Sequence, residues 1–295
     1  MAAHRKIAIL LHETDAYPQA SGHFIWAMRD VWLEQGHSVE VLKGLDKTLD
    51  ADLVIPHVDA TVLPRDYADY LRNYRYVVNR DVVDISKGHI SGNLLSASDS
   101  WAGPVIVKTN LNCGGAPDVD FSGAKIFLAT KHTRSIWRSL FNRKRRKTTD
   151  DWTKVNCMKC EDYPVFASLR EVPPAIFSNP SLVVERFLPE CEKGIYYLRI
   201  YQFFGDRGYC ARLGSTHPIV KQANIVSREE VPIPDDVMQV RRRLRMDYGK
   251  LDFVLHNGRV IVFDANRTPG RIKPEERRRA NAKRLAEGLE SFFSP

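Results

Sequence analysis

The chain alternates apolar and polar segments on short periods. Lys6–Leu11 is an apolar run behind one lysine, the pattern of a buried strand. Phe24–Leu33 repeats apolar residues at helical spacing, and Gly36 follows as a stop signal. Ser38–Leu42 alternates with period two and predicts a second strand. Leu53–Ile55 and Tyr76–Val78 predict two more, separated by a helix over Arg65–Asn73. This order is a βαβ pattern and implies a short parallel sheet. Pro104–Lys108 is a β-rich run that ends in lysine and enters a loop over Asn110–Asp118, after which a basic helical stretch is expected. Residues 149–180 are irregular and rich in proline. Strands then dominate: Leu182–Phe187, Tyr196–Phe204, Gly208–Leu213, Lys250–Leu255 and Val260–Ala265. One helix over Val237–Arg245 interrupts them. An amphipathic helix from Pro274 to Phe292 closes the chain, with apolar positions at Ala280, Leu285, Leu289 and Phe293. The second half reads as α+β with an antiparallel sheet.

At 295 residues the chain suits two or three lobes. Hydrophobic residues make up 43% and charged residues 27%, enough to bury a core. The longest apolar runs reach five or six residues, as in Ile7–Leu11, whereas a membrane span needs roughly 20. No membrane partner is expected. Cysteines at 113, 157, 160, 191 and 210 do not form a disulfide framework, and a soluble, cytoplasmic protein is expected. The net charge of +8 is local. Residues 121–149 hold nine Lys/Arg and no Asp/Glu, which leaves 35 basic against 36 acidic residues elsewhere. A general nucleic-acid coat is therefore not expected, although Trp137 and Phe141 among the arginines of Ser135–Lys147 resemble a stacking surface. Cys157 and Cys160 form CMKC, but no second ligand pair stands at a matching spacing for zinc.

The informative block is KLDFVLHNGRVIVFDANRTPG, Lys250–Gly270. Asp264 and Asn266 lie two apart on a strand and share a face. A two-residue turn at Asn257–Gly258 would put Asp252 and Asp264 on opposite faces. A three-residue loop over 257–259, with Gly258 left-handed, sets Asp252 directly opposite Asp264. The second register is expected, because it gathers two carboxylates and an amide oxygen as hard ligands for Mg²⁺ bound together with phosphates.

This block resembles the signature that ends the ATP-grasp ligases, and other segments resemble that family in order from about residue 84 to 270. The resemblance implies a βαβ domain over 1–83, a small ATP-grasp lobe over 84–181 and a large lobe over 182–295. It implies that ATP phosphates meet Lys108 at the end of PVIVK, Lys87 in DISKGH, and the Gly114–Gly115 pair. The adenine edge would meet backbone groups near Glu185, Phe187 and Leu188, and the ribose Glu192 or Glu190. Asp252, Asp264 and Asn266 would hold Mg²⁺. Arg199 and Lys108 would stabilise the transferring phosphoryl group. Arg212, Lys221 and Asn224 would line the site, and Thr268 and Gly270 would face a second substrate.

The implied reaction activates a carboxylate as an acyl-phosphate and lets an amine displace phosphate. Partners would then be a small-molecule or peptide carboxylate and an amine, with a homodimer possible. Two alternatives are an ATP-grasp kinase acting on a hydroxyl and a non-catalytic nucleotide-binding module. A glycosyltransferase is a weaker rival, supported only by the opening KIAILLH. Asp264 replaces a commoner glutamate, and the basic cluster matches no family motif.

Overall fold

The computed structural model describes residues 3–15, 22–48, 50–123, 125–129, 146–149 and 151–293. The chain opens with β1 (Lys6–Leu11), α1 (Phe24–Glu34), β2 (Ser38–Lys43), β3 (Leu53–Pro56) and α2 (Arg65–Leu71). The three strands form a parallel sheet in the order β2-β1-β3. Strand β1 is buried on both faces, as its unbroken apolar run requires. Ile7, Ile9 and Leu11 pack with α1, while Ala8 and Leu10 pack with Tyr67 and Leu71 of α2. Tyr76–Val78 is not a full strand. It makes only two hydrogen bonds to Val54 before Asn79 turns left-handed and binds Asp247 and Tyr248.

Next come α3 (Lys87–Ile90), β4 (Leu94–Leu95), β5 (Val105–Thr109), α4 (Ala116–Ser122), β6 (Ile126–Ala129) and β7 (Arg146–Thr149). After these stand β8 (Val165–Phe166), α5 (Pro174–Phe177) and β9 (Leu182–Arg186). Strands β4-β9-β5-β8 make an antiparallel sheet, so residue 182 opens a strand that pairs back across the expected 181/182 boundary. The helix expected over the basic segment is not seen where the chain is described: 126–129 and 146–149 are parallel strands. Most of Ser135–Lys147, with Trp137 and Phe141, lies outside the described residues.

The large antiparallel sheet runs β13-β12-β11-β14-β15. Its strands are β11 (Ile195–Phe204), β12 (Arg207–Ser215), β13 (Ile225–Val231), β14 (Tyr248–His256) and β15 (Arg259–Asn266), with β10 (Glu190–Glu192) paired to β11. Helix α6 (Asp235–Arg243) and Val82, Ile85 and Ile90 cover one face through Phe253 and Val262. Helix α7 (Glu275–Ala286) packs against α1. Its inward side carries Ala282, Leu285 and Ala286, with Leu289 just beyond it, whereas Ala280 is exposed. Trp32, Phe204, Tyr248 and Leu285 belong to one apolar cluster that joins the first sheet to the large one.

The β14–β15 hairpin corrects the expected turn. His256 pairs with Arg259, so the turn is the two-residue Asn257–Gly258, with φ of 50° and 75°. The shift occurs later, between Asp252 and Phe253, where Phe263 is the extra residue of a bulge. Asp252 still stands opposite Asp264. No helix among the described residues is long and apolar enough to cross a membrane.

Candidate active site

Paired residues on neighbouring antiparallel strands share a face. Ile200, Asp252 and Asp264 therefore form one row, and Gln202, Lys250 and Asn266 the next. The bulge lets two successive residues of β15, Phe263 and Asp264, line the same cleft. That cleft is walled by β5, β9, β14 and β15.

Four lysines meet two carboxylates there. Lys87, on α3 against β15, is buried with Nζ 3.3 Å from Asp264 Oδ1, and it donates to the Leu111 carbonyl at 3.2 Å. Lys250 Nζ lies 2.9 Å from Asp252. Lys108 pairs with buried Glu185 at 2.6 Å and sits 4.4 Å from the centre of the Phe263 ring. Lys221 lines the cleft from the loop after β12. Burial opposes the charge on Asp264, but Lys87, Lys250, Lys108 and Lys221 outweigh it, so its carboxyl is held below the ordinary range. Asp252 goes the other way: burial, aided by Asp264, raises it against the pull of Lys250. Burial also opposes the charge on Lys87, yet Asp264, Cys160 and Glu185 raise its pKa. The Asp252 and Asp264 environments are thus driven apart.

Asp252 Oδ1 and Asp264 Oδ1 are buried beside ammonium groups, Lys250 Nζ at 2.9 Å and Lys87 Nζ at 3.3 Å. Buried carboxylate oxygens of this kind fit a cation that takes the place of an ammonium and completes its shell with phosphate oxygens. No cage of three His, Cys, Asp or Glu side chains exists among the described residues. Asn266 does not complete the set as expected. Its Oδ1 accepts the Thr268 N–H at 2.7 Å, which turns the amide into its own loop.

The hinge differs in detail as well. The Arg186 N–H and carbonyl bond Asn93, and the Phe187 N–H donates to the Pro104 carbonyl. Sheet and loop bonds therefore use these groups, and Pro189 has no N–H. The Phe187 carbonyl, Leu188 and the buried Glu185 Oε1 are hinge groups that can still face a base edge.

Several expected site residues lie elsewhere. Arg199 pairs with Phe253, one position out of step with the Ile200–Asp252 row, so its side chain leaves on the opposite face. There it forks onto Glu190 at 2.8–3.2 Å. Arg212 points the same way, stacks on Tyr197 and reaches Glu190, Glu192 and Glu229. Glu190 also accepts the Leu255 N–H. Arginines thus occupy both carboxylates expected at a ribose, and burial opposes the lowered pKa of Glu190 less than these partners favour it. Gly114 and Gly115 are not among the residues that line the cleft, although Cys113 just before them is. A Cβ on Gly114 would meet the Met158 carbonyl at 2.0 Å, and one on Gly115 the Asn156 carbonyl at 2.6 Å. Their positive φ and missing side chains serve packing against 156–158. Asn224 closes the loop that presents Lys221, accepting the Lys221 N–H. Thr268 is buried on Asp59, and Gly270 is exposed with nothing close.

Lys250, Phe263, Tyr163, Cys113 and Cys160 also reach the cleft or its acidic row without having been expected there. Lys250 had a signal, since it stands two before Asp252. Tyr163 and Cys160 come from the proline-rich stretch, whose path has no periodicity to read.

No protein-family model matches the chain, and no curated protein matches it by sequence. Solved structures do. D-cycloserine synthetase DcsG matches with 11% identity over 98% of this chain and 100% of its own, at a TM-score of 0.50. D-alanine–D-alanine ligase from Bacillus anthracis matches at 12% identity, covering 98% of this chain and 97% of its own, with a TM-score of 0.47. A RimK-domain ATP-grasp protein from Sphaerobacter thermophilus matches at 10%, covering 96% and 99%, with 0.49. Lobes, sheet order and the DcsG overlay define the class: the chain has the ATP-grasp fold.

Proposed function

We propose that the chain is an ATP- and Mg²⁺-dependent ligase that joins a carboxylate to an amine through an acyl-phosphate. One observation carries the reading. Lys87, Lys108, Lys221 and Lys250 converge on Asp252 and Asp264 at the polar end of a cleft whose other end is an apolar hinge. Ile106, Leu188, Val254 and Ile261 would hold a nucleobase, and Leu188 with Glu185 Oε1 would read its edge. The lysines would spread along the phosphates. Asp252 and Asp264 would hold Mg²⁺, which offsets phosphate charge. Lys108 and Lys250 would stabilise charge that develops as the γ-phosphoryl meets the substrate carboxylate, and Arg199 drops out of that role. The walled cleft would exclude water, which otherwise hydrolyses an acyl-phosphate.

The test is ADP release from ATP and Mg²⁺ with mixtures of amino acids. Asp264→Asn and Asp252→Asn should each abolish release while the circular dichroism spectrum stays native. Wild-type turnover in Asp264→Asn would remove the metal assignment. Chelation with EDTA should stop turnover, and restored Mg²⁺ should recover it.

A further inference from the structure

A second titratable group stands at the start of α1, outside the lysine cluster. His23 Nδ1 and His57 Nε2 are 2.7 Å apart. His57 is 1% exposed, lies edge-on to Trp26, and has no partner for Nδ1 among the described residues. His23 Nε2 lies 4.0 Å from Asp59 Oδ2, and both of these side chains reach solvent, at 20% and 28% exposure. Thr268 donates to Asp59 Oδ1 at 2.5 Å, and Thr268 in turn is bonded to Asn266. Asn266 pairs with Lys250, so the group joins the catalytic rows through one loop. The Cys113 thiol lies within electrostatic reach of both Asp59 and Asp264.

We propose that the His23–His57 pair, with Asp59 beside it, takes the proton of an ammonium-bearing second substrate. This rests on the ligase reading above. His23 is the acceptor, and His57 is a positioning residue that holds the ring and shares its Nδ1 proton. The substrate N–H bond breaks, an N–H bond forms on His23, and the electron pair stays on the amine. The amine then attacks the acyl carbon, the C–O bond to phosphate breaks with its electrons leaving on phosphate, and the second proton passes from the newly bonded nitrogen to that phosphate, so that a neutral amide and hydrogen phosphate result. Asp59 and Asp15 balance the transient imidazolium. Among the described residues, Arg278 Nη2 donates to the His23 carbonyl at 3.2 Å, the Arg271 side chain packs beside Gly22, and Glu275 pairs with both arginines, while Lys43 acts on Asp15. His23 is the charged neighbour that acts on His57. Burial holds His57 well below its ordinary range, so the added charge stays on His23.

Two measurements test this. The first is a ¹⁵N NMR titration of the imidazoles in the full chain. His57 should remain neutral at every pH at which the chain is folded. Charging of His57 before His23 would overturn the pair's role. The second uses ATP, Mg²⁺ and the twenty amino acids in both enantiomeric forms, with either the amino acids or hydroxylamine as acceptor. Hydroxylamine is already unprotonated at neutral pH and needs no base to deliver its lone pair. His23→Gln should lose amide formation about a hundredfold at pH 7, and the loss should shrink as pH rises toward the amine's own pKa. Hydroxamate formation should stay within about threefold of wild type. His57→Gln should keep more activity than His57→Phe, which should shift the pH–rate profile. Equal loss of hydroxamate and amide, or unchanged amide formation, would overturn the proposal. If wild type forms neither product, the ligase reading fails, and the titration alone decides whether His23 takes the proton.

Discussion

Arg199 and Asp252 sit on adjacent strands one position out of step, and that offset decides what each can touch. Arg199 shares the face of Phe253, where Glu190 takes its guanidinium, and both side chains are nearly buried. Removing Arg199 leaves Glu190 with Arg212 and the Leu255 N–H but takes away its bidentate partner. Arg199→Met should therefore cost about 2 kcal/mol of stability, read by urea unfolding, while ADP release changes little at a temperature where the variant is folded. Loss of turnover with unchanged stability would return Arg199 to the catalytic set. His57 gives a second expectation at this scale. Its folded-state pKa lies below the ordinary 6.5, so below that pH the unfolded chain binds a proton that the folded chain refuses. Stability should then fall as pH drops from 6.5 toward 5, by up to about 1.4 kcal/mol per pH unit for this group. His57→Phe should flatten that limb in thermal melts.

At the scale of elements, the β14–β15 hairpin shows what was legible and what was not. The strands and the place of the turn could be read from alternation and from turn chemistry, and the pairing of Asp252 with Asp264 was expected by way of a three-residue loop over 257–259 that the structure replaces with a two-residue turn. The device that sets the pairing could not. A bulge at Phe263 and a wider loop at 257–259 give the same partner for Asp252, and nothing in the residue order distinguishes them. The structure shows what the bulge adds: Phe263 joins the cleft and meets Lys108. Phe263→Ala should raise the KM for ATP about tenfold through the lost ring contacts, with a smaller effect on kcat. Gly258→Ala, far from the bulge at φ 75°, should cost about 1 kcal/mol and leave KM alone. Elsewhere, lysines at strand and helix ends were readable because they close recognisable segments. The roles of Arg199, Glu190 and Gly114 were not, since each depends on which face a distant strand presents.

The whole molecule is held together where the first sheet meets the large one, and Arg267 is the polar clamp at that seam. It is 4% exposed, donates from Nη1 to the Val82 carbonyl and from Nη2 to the Ala60 carbonyl, both at 2.6 Å, and has no carboxylate bonded to it among the described residues. Burial pushes its pKa down to about 10, with Asp118, Asp84 and Asp59 opposing the shift. One residue further on, Thr268 binds Asp59, and the Pro269 carbonyl accepts the Phe24 N–H at the start of α1. Thr61, from the same segment as Ala60, binds Asp118 with both its N–H and its hydroxyl, and that hydroxyl accepts the Asn112 N–H. The loop that follows Asn266 is thus tied to α1, to the loop after β3 and, through Thr61, to the turn before α4. Removing the guanidinium would orphan buried carbonyls on two segments and open the seam between them. Arg267→Ala should lower stability by about 3 kcal/mol. Arg267→Lys should recover little of this, because one ammonium cannot span carbonyls that a planar fork reaches from both sides. Since the same loop positions Asp59 beside His23, the variants should also lose amide formation more than nucleotide binding. Thermal shift with ATP and Mg²⁺, compared with product formation at a temperature where each variant is folded, separates the two effects. A parallel loss of both would mean that the clamp supports the nucleotide cleft rather than the seam.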